Sequence, residues 1–186
     1  MVRFWQMTLI IREKKLNKLY KIKAGDFIFV WSNSFFAWIV SWFSKVPHVA
    51  IAISENSYIE ADFLDGVRIS DISNLDEKRK VEIYSLNVSE DKKNIFIDEL
   101  LEEVGRRYDV AGLIAYLTGL KLFQNSKRWF CSELVAMALK KAGIITIRGK
   151  SYKVSPEDIY KWITKIREEQ VINEAIDLIK GGDFSD

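Results

Sequence analysis

The stretch HVAIAISENSYIEAD, residues 48–62, decides the fold, because its pattern predicts two short β-strands joined by a polar turn. Side chains alternate between the two faces of a strand, so His48 shares a face with Ala50 and Ala52. Two alanines beside a histidine leave open space above the imidazole, as the floor of an active site needs. A partly exposed histidine at a strand end is the commoner situation, and it stays open as the alternative.

Glu60 lies on the second of these strands. A carboxylate on a half-buried strand needs a partner, and an imidazole one strand away would supply it. His48 and Glu60 share a face only if the connecting loop has an odd number of residues, as it does when Ile53 pairs with Ser57. A two-residue loop would put Glu60 on the opposite face and exclude any role beside His48.

The rest of the chain predicts an α+β domain, in which a small and mostly antiparallel sheet packs with several helices. Further strands are predicted at residues 27–31, 66–69 and 80–86. Helices are predicted at residues 35–45, 91–107, 109–120 and 131–142, and a last one begins at Ser155-Pro156 and runs to residue 180.

Cys131 is predicted at the N-terminus of a helix, since a polar turn at residues 124–127 precedes it and a helical pattern follows. Free backbone N–H groups and the helix dipole favour a thiolate there, and the thiolate is the nucleophilic form. The same N–H groups could hold a developing oxyanion. Free cysteine is also among the most buried residue types, and Leu134 and Val135 suit a core, so a structural role stays open as well.

The composition narrows the class of protein. The chain has 186 residues, a length typical of one domain, with a single cysteine and a single histidine. These counts exclude a disulfide framework and a zinc cluster of Cys and His ligands. A net charge of +2 gives no support for a nucleic-acid-binding domain, and 48% hydrophobic residues are typical of a folded protein.

Neither a membrane span nor a secretory signal is expected. Residues 27–43 are the most hydrophobic stretch, but Ser32, Asn33 and Ser34 interrupt its middle, where a transmembrane helix would tolerate them poorly. The first residues lack the basic start and cleavage site of a signal peptide. A basic run at residues 12–23 predicts a solvated amphipathic face rather than a membrane-surface or nucleic-acid arm. The sequence therefore predicts a cytoplasmic protein.

Seven short motifs follow one another in the chain: Gly25-Asp26-Phe27-Ile28, Pro47-His48-Val49-Ala50-Ile51, Tyr58-Ile59-Glu60-Ala61, Gly66-Val67, Tyr108-Asp109, Phe130-Cys131-Ser132-Glu133-Leu134-Val135 and Ser155-Pro156-Glu157-Asp158. In this order and spacing they resemble the YiiX/YebB-like branch of the NlpC-type papain-like cysteine hydrolases. In that branch the papain-like fold is circularly permuted, so the histidine precedes the cysteine in the chain. The resemblance covers residues 24–162, which is most of the sequence.

The resemblance implies a permuted papain-like fold and a Cys–His–Glu triad. Cys131 would be the nucleophile, His48 the base that takes its proton, and Glu60 the residue that orients His48. The backbone N–H of Cys131 is the candidate oxyanion donor. Four residues are candidates for the substrate pocket: Tyr108, Trp31, Ser32 and Ser132. No metal or organic cofactor is required.

The predicted function is hydrolysis of an amide bond in a peptide, a cell-wall peptide or an amino-acid amide, through a thioester acyl-enzyme. The catalytic domain is expected at residues 24–165. An N-terminal extension at residues 1–23 would precede it, and a C-terminal helical tail at residues 166–186 would follow it.

Two other functions stay open. The family also resembles the lecithin retinol acyltransferase group, so the first is a thiol acyltransferase or lipid hydrolase with an acyl-lipid substrate and peripheral membrane contact. An aromatic-rich stretch at residues 35–43 would support it if exposed, although such residues at helical spacing more often form core. The second is an inactive papain-like binding module, which is disfavoured because all three triad residue types are present in the required order.

Overall fold

The computed structural model describes residues 21–31, 46, 48–75, 80–108, 128–146 and 154–181. These ranges contain three α-helices and seven β-strands, with a short 3-10 helix at Ile72–Leu75. The strands are β1 (Phe27–Trp31), β2 (His48–Ala52), β3 (Ser57–Asp62), β4 (Gly66–Asp71), β5 (Lys80–Tyr84), β6 (Arg107–Tyr108) and β7 (Arg128–Trp129). The helices are α1 (Glu90–Leu101), α2 (Cys131–Lys141) and α3 (Pro156–Gly181). The fold is therefore α+β, as the sequence predicts.

Five strands form one antiparallel sheet in the order β4-β3-β2-β1-β5. In the β2–β3 hairpin Ile51 pairs with Ile59, and the Ile53 N–H donates to the Ser57 carbonyl at 2.9 Å. The loop is thus the odd-length one, so the condition for His48 and Glu60 to share a face is met. The short strands β6 and β7 pair in parallel to make a second, two-stranded sheet.

Apolar side chains cover both faces of the main sheet. Val49 and Ile51 face a large core cluster that also holds the buried residues of the three helices. Ala50 and Ala52 face a second cluster that contains Tyr58, and they are 1% and 0% exposed. The open space expected above these two alanines is therefore filled, because apolar side chains from neighbouring elements pack against them.

The predicted helix at residues 91–107 is too long, since α1 ends at Leu101. The chain then turns at Gly105, whose φ is +87°, and the Gly105 N–H donates to the Val67 carbonyl. The Val67 N–H donates in turn to the Arg106 carbonyl at 2.8 Å. Hydrogen bonding to the start of β4 thus replaces the helical bonds that the apolar spacing predicts.

Helix α3 begins with reciprocal capping bonds between Ser155 and Asp158, as the sequence predicts. Tyr160 donates to the buried carboxylate of Glu82 on β5 at 2.8 Å, which ties the helix to the sheet edge. The predicted tail boundary at residue 165 falls inside this helix. Further along, the Gln170 side-chain amide bonds both the N–H and the carbonyl of Asn87.

Several predictions fall on residues outside the described ranges. These are the helices at residues 35–45 and 109–120, most of the basic run at residues 12–23, and Ser32 of the candidate pocket. Within the described ranges, no helix combines the length and the apolar character needed to cross a bilayer.

Candidate active site

His48 and Glu60 are directly bonded to each other. His48 is the first residue of β2, and its Nε2 lies 2.9 Å from Oε2 of Glu60 on β3. The histidine side chain is 24% exposed and the glutamate side chain 7%. The pairing follows from the hairpin register, which puts both side chains on one face of neighbouring strands. One side of the imidazole is therefore held by a buried carboxylate.

Cys131 is the second group that shifts the pKa of the His48 ring. Cys131 opens α2, and Leu134 and Val135 of that helix pack in the same core cluster as Val49 of β2. Docking of α2 on the sheet thus carries its first residue to the start of β2. Because Glu60 occupies Nε2, the ring nitrogen left for the sulfur is Nδ1.

The charge state of His48 follows from these two contacts. Burial alone lowers the pKa of the imidazole, because it penalises the charged ring. Hydrogen bonds to Cys131 and Glu60, together with the negative charge of both partners, outweigh the burial and raise the pKa to about 10. His48 is therefore an imidazolium at neutral pH.

Arg68 and Ser70 on β4 complete the surroundings of Glu60, and neither is predicted from the sequence as a site residue. Arg68 donates to Glu60 Oε1 from Nε at 3.2 Å and from Nη2 at 3.1 Å, and the Ser70 hydroxyl donates to the same oxygen at 2.9 Å. Glu60 pairs directly opposite Arg68 across β3 and β4. Alternation along the predicted strand at residues 66–69 indicates which residues share a face with Arg68. Only the pairing of β3 with β4 shows that Arg68 lies opposite Glu60.

The charge state of Glu60 reflects the same contacts. Burial raises the pKa of the carboxyl, but hydrogen bonds from His48 and Ser70 and the positive charges of His48 and Arg68 lower it to about 2. Glu60 is therefore ionised at neutral and at mildly acidic pH. Glu60 is thus a carboxylate and His48 an imidazolium, and Cys131 is the second group that raises the pKa of His48.

The start of α2 offers backbone donors beside the thiol. Phe130 precedes the helix in an extended conformation, with φ −107° and ψ 161°, and the first helical bond runs from the Leu134 N–H to the Phe130 carbonyl. The N–H groups of Cys131 and Ser132 thus precede the helical hydrogen-bond pattern. Among the described residues, no side chain at the N-cap position bonds them.

The other candidates for the substrate pocket differ in where the structure places them. Ser132 is 0% exposed and donates to the Val154 carbonyl at 2.7 Å, so it ties α2 to the start of α3 and does not line an open pocket. Trp31 ends β1 and is half-buried, with the Lys80 ammonium 4.3 Å from the centre of its ring. The backbone of Tyr108 belongs to β6.

A cysteine at a helix start, contacted by a histidine from an earlier sheet strand, is the arrangement of a permuted papain-like enzyme. A family model confirms this class: the permuted papain-like amidase enzymes of the YaeF/YiiX group, peptidase family C92, match residues 21–173. The chain belongs to this family and is a papain-like amidase or cysteine peptidase.

Among solved structures, the fold is similar to that of the yiiX protein from Escherichia coli O157:H7, which is described as a metalloprotein. The TM-score is 0.52 and the identity 16%, over 68% of this chain and 69% of that one. Comparison with functionally curated proteins gave no significant match. In the part of this chain that the structure describes, no three His, Cys, Asp or Glu side chains gather closely enough to hold a metal ion.

Proposed function

We propose that this amidase hydrolyses an amide bond with Cys131 as nucleophile, His48 as general base and acid, and Glu60 as the residue that orients His48. The observation that carries the proposal is the position of His48, whose Nε2 lies 2.9 Å from Glu60 Oε2 and whose pKa is raised by both Glu60 and Cys131. Nucleophile, base and orienting carboxylate in this sequence of contacts are the parts of a catalytic triad.

Acylation begins with the thiol proton of Cys131 already on His48, so that the sulfur is a thiolate and the imidazole an imidazolium. The thiolate then attacks the carbonyl carbon of the scissile amide, a carbon–sulfur bond forms, and the carbonyl electron pair moves onto oxygen. His48 returns its proton to the amide nitrogen as the tetrahedral intermediate collapses. The amine leaves, and the acyl group remains on Cys131 as a thioester.

Deacylation runs the same steps with water. His48 takes a proton from water, the hydroxide attacks the thioester carbon, and the carbon–sulfur bond breaks to release a carboxylic acid. The proton taken from water stays on His48, which restores the thiolate and the imidazolium for the next turnover. Glu60 stays ionised throughout and stabilises the imidazolium each time it forms, since the pKa of its carboxyl is held near 2.

The oxyanion formed in both steps needs a donor close to the sulfur. The Cys131 N–H supports this role because it lies at the start of α2, before the helical hydrogen-bond pattern begins. The dipole of an 11-residue helix points its positive end at the same place. We therefore assign the Cys131 N–H as the oxyanion donor.

The substrate class that we propose is a peptide, a cell-wall peptide or an amino-acid amide. Trp31 lies at the end of β1 beside the start of β2, where Val30 pairs with His48, so its ring is the proposed apolar wall of the pocket. The aromatic stretch that would favour an acyl-lipid substrate lies outside the described residues. An acyltransferase or lipid hydrolase is therefore left as an outcome of the experiment below.

The first test measures the reactivity of Cys131 without any knowledge of the substrate. An ordinary thiol with a pKa of about 8.5 is only about 0.03% thiolate at pH 5. If His48 activates Cys131, iodoacetamide at pH 5 should therefore alkylate the folded protein at least about tenfold faster than the unfolded chain. The rate is followed by intact-protein mass spectrometry.

The variants His48→Ala and Glu60→Gln should lose this advantage, whereas Glu55→Gln should keep it. Glu55 is the matched control, because its side chain is 64% exposed and pairs only with Lys21 among the contacts described for it. Alkylation at pH 5 that does not depend on His48 would contradict the triad and favour the inactive binding module.

The second test identifies the acyl group. The protein is incubated with a mixed library of peptide amides and acyl lipids, quenched in acid, and weighed for adducts on Cys131, with Cys131→Ala as the blank. Adducts with amino-acid masses are expected. Adducts with long-chain acyl masses would instead support the acyltransferase or lipid hydrolase.

A further inference from the structure

The two carboxylate oxygens of Glu60 have separate tasks. Oε2 bonds His48 at 2.9 Å. Oε1 accepts three hydrogen bonds, two from Arg68 and one from Ser70, at 2.9 to 3.2 Å. The oxygen that faces His48 thus belongs to a carboxylate whose other oxygen is already fixed from the opposite strand.

Arg68 is itself held from behind by two aspartates. Its Nη2 also donates to Asp62 at 3.2 Å, and its Nη1 donates to Asp65 in the β3–β4 turn. The guanidinium is planar and rigid, so contacts on both sides fix its orientation. Arg68 is 39% exposed, but its donors point at three carboxylates of the protein and not at solvent alone.

A glutamate with one hydrogen bond would not keep this geometry unaided. The last torsion of a glutamate side chain has a broad energy minimum, so the carboxylate plane turns easily unless contacts hold it. Three donors on Oε1 define that plane and leave Oε2 aimed at His48. The charged groups that face the pair are Arg68 from β4 and Cys131 from α2, with Asp62 and Asp65 behind Arg68.

We propose that Arg68 and Ser70 are positioning residues that hold Glu60 against His48, so that the catalytic unit, Cys131 included, has five members rather than three. The inference rests on the proposed function, because it assigns a role within the same triad. The alternative is that Arg68 is only a cross-strand ion pair that stabilises the β3–β4 hairpin.

The single histidine makes the test direct, since an imidazole nitrogen spectrum of the protein contains the signals of His48 only. The pKa of His48 is measured by NMR titration in the wild type, Arg68→Met, Arg68→Lys, Ser70→Ala and Glu60→Gln. If Arg68 holds Glu60 in place, Arg68→Met should lower the pKa of His48 by about one unit or more, toward the Glu60→Gln value.

The sign of the change in the pKa of His48 in Arg68→Met distinguishes the positioning role of Arg68 from a cross-strand ion pair that only stabilises the hairpin. Removal of a positive charge from a Glu60 that stays in place would raise the pKa of His48, so a raised or unchanged value in Arg68→Met overturns the proposal. Ser70→Ala changes no charge, so a lower pKa there reports position alone, and an unchanged pKa would remove Ser70 from the unit. Arg68→Lys should restore only part of the shift, because a single ammonium cannot donate from two fixed nitrogens.

Arg106→Met is the matched control. Arg106 is 41% exposed and pairs with Glu103, whose side chain is 7% exposed, which closely resembles the Arg68–Glu60 pair. Its loss should leave the His48 titration unchanged. The titration involves no turnover, so failure of the triad in the alkylation test and failure of this positioning role are distinguishable.

Discussion

Two glycines beside the contact between β4 and β6 differ in how much a side chain at their position would destabilise the fold. Gly66 and Gly105 both have positive φ, +78° and +87°. A Cβ on Gly66 would lie 2.2 Å from the Arg106 carbonyl oxygen, whereas among the described atoms a Cβ on Gly105 would meet nothing within 4 Å. The first position therefore needs glycine for two reasons and the second for one.

We expect Gly105→Ala to lower the free energy of unfolding by about 1 kcal/mol, the usual cost of a left-handed backbone with a side chain. Gly66→Ala should cost at least about 2 kcal/mol more, because the backbone of Arg106 must move away from its bond with Val67. Urea denaturation of both variants measures the difference. Equal losses would contradict a steric clash between a side chain at position 66 and the Arg106 backbone.

How far the site could be predicted also varies residue by residue. Cys131, His48 and Glu60 stand out in the sequence, because a helix start and an alternating hairpin constrain where each side chain points. Arg68 does not, since its meaning depends on which residue it faces across a strand pair, and that register is set by the whole hairpin. Ser132 sits next to the cysteine in sequence but points into the core.

At the scale of elements, the start of α3 is the most sharply encoded feature. The Ser155 hydroxyl accepts from the Asp158 N–H at 3.0 Å, and the Asp158 carboxylate accepts from the Ser155 N–H at 2.9 Å. Just before this cap, the Val154 carbonyl accepts from Ser132 on α2. The cap therefore stabilises α3 at the point where it contacts the helix that carries the cysteine.

Ser155→Ala should lower the free energy of unfolding by about 1 kcal/mol, the typical cost of losing an N-cap. Ser155→Thr should retain most of the stability, because its hydroxyl can accept from the Asp158 N–H and donate to the Asp158 carboxylate as serine does. Thermal unfolding of the two variants checks the ranking. A loss of similar size in both would mean that packing around Ser155 matters more than the cap.

Element ends were harder to predict than element types. The C-terminus of α2 and the N-terminus of α3 are capped locally. Gly143, whose φ is +62°, marks the first in the sequence, and the N-cap Ser155 marks the second. The end of α1 is set by backbone bonds to Val67, which is far away along the chain. Apolar spacing continues past Leu101, and only the tertiary partner shows that the helix has stopped.

For the whole molecule, the lowered pKa of Glu60 predicts how the free energy of unfolding depends on pH. Its pKa falls from 4.5 to about 2 on folding, so its contribution to stability is complete above pH 4.5 and is lost as the pH falls toward 2. Glutamine at this position has no such titration. The free energy of unfolding of the wild type should therefore exceed that of Glu60→Gln by on the order of 3 kcal/mol above pH 5, and by little near pH 2.

Urea denaturation at a series of pH values measures this difference. Glu55→Gln serves as the control, because its exposed side chain should give no pH-dependent gap between variant and wild type. A constant gap between the wild type and Glu60→Gln down to pH 2 would show that Glu60 has an ordinary pKa in the folded chain.

The contacts of Glu60 also bear on the order in which the parts of the candidate site come together during folding. His48, Arg68 and Ser70 lie only 8 to 12 residues from Glu60 along the chain, so these contacts close short loops. Cys131 joins them only when α2 docks on the sheet. A nascent or partly folded chain can therefore form the ion pairs around Glu60 before Cys131 reaches His48.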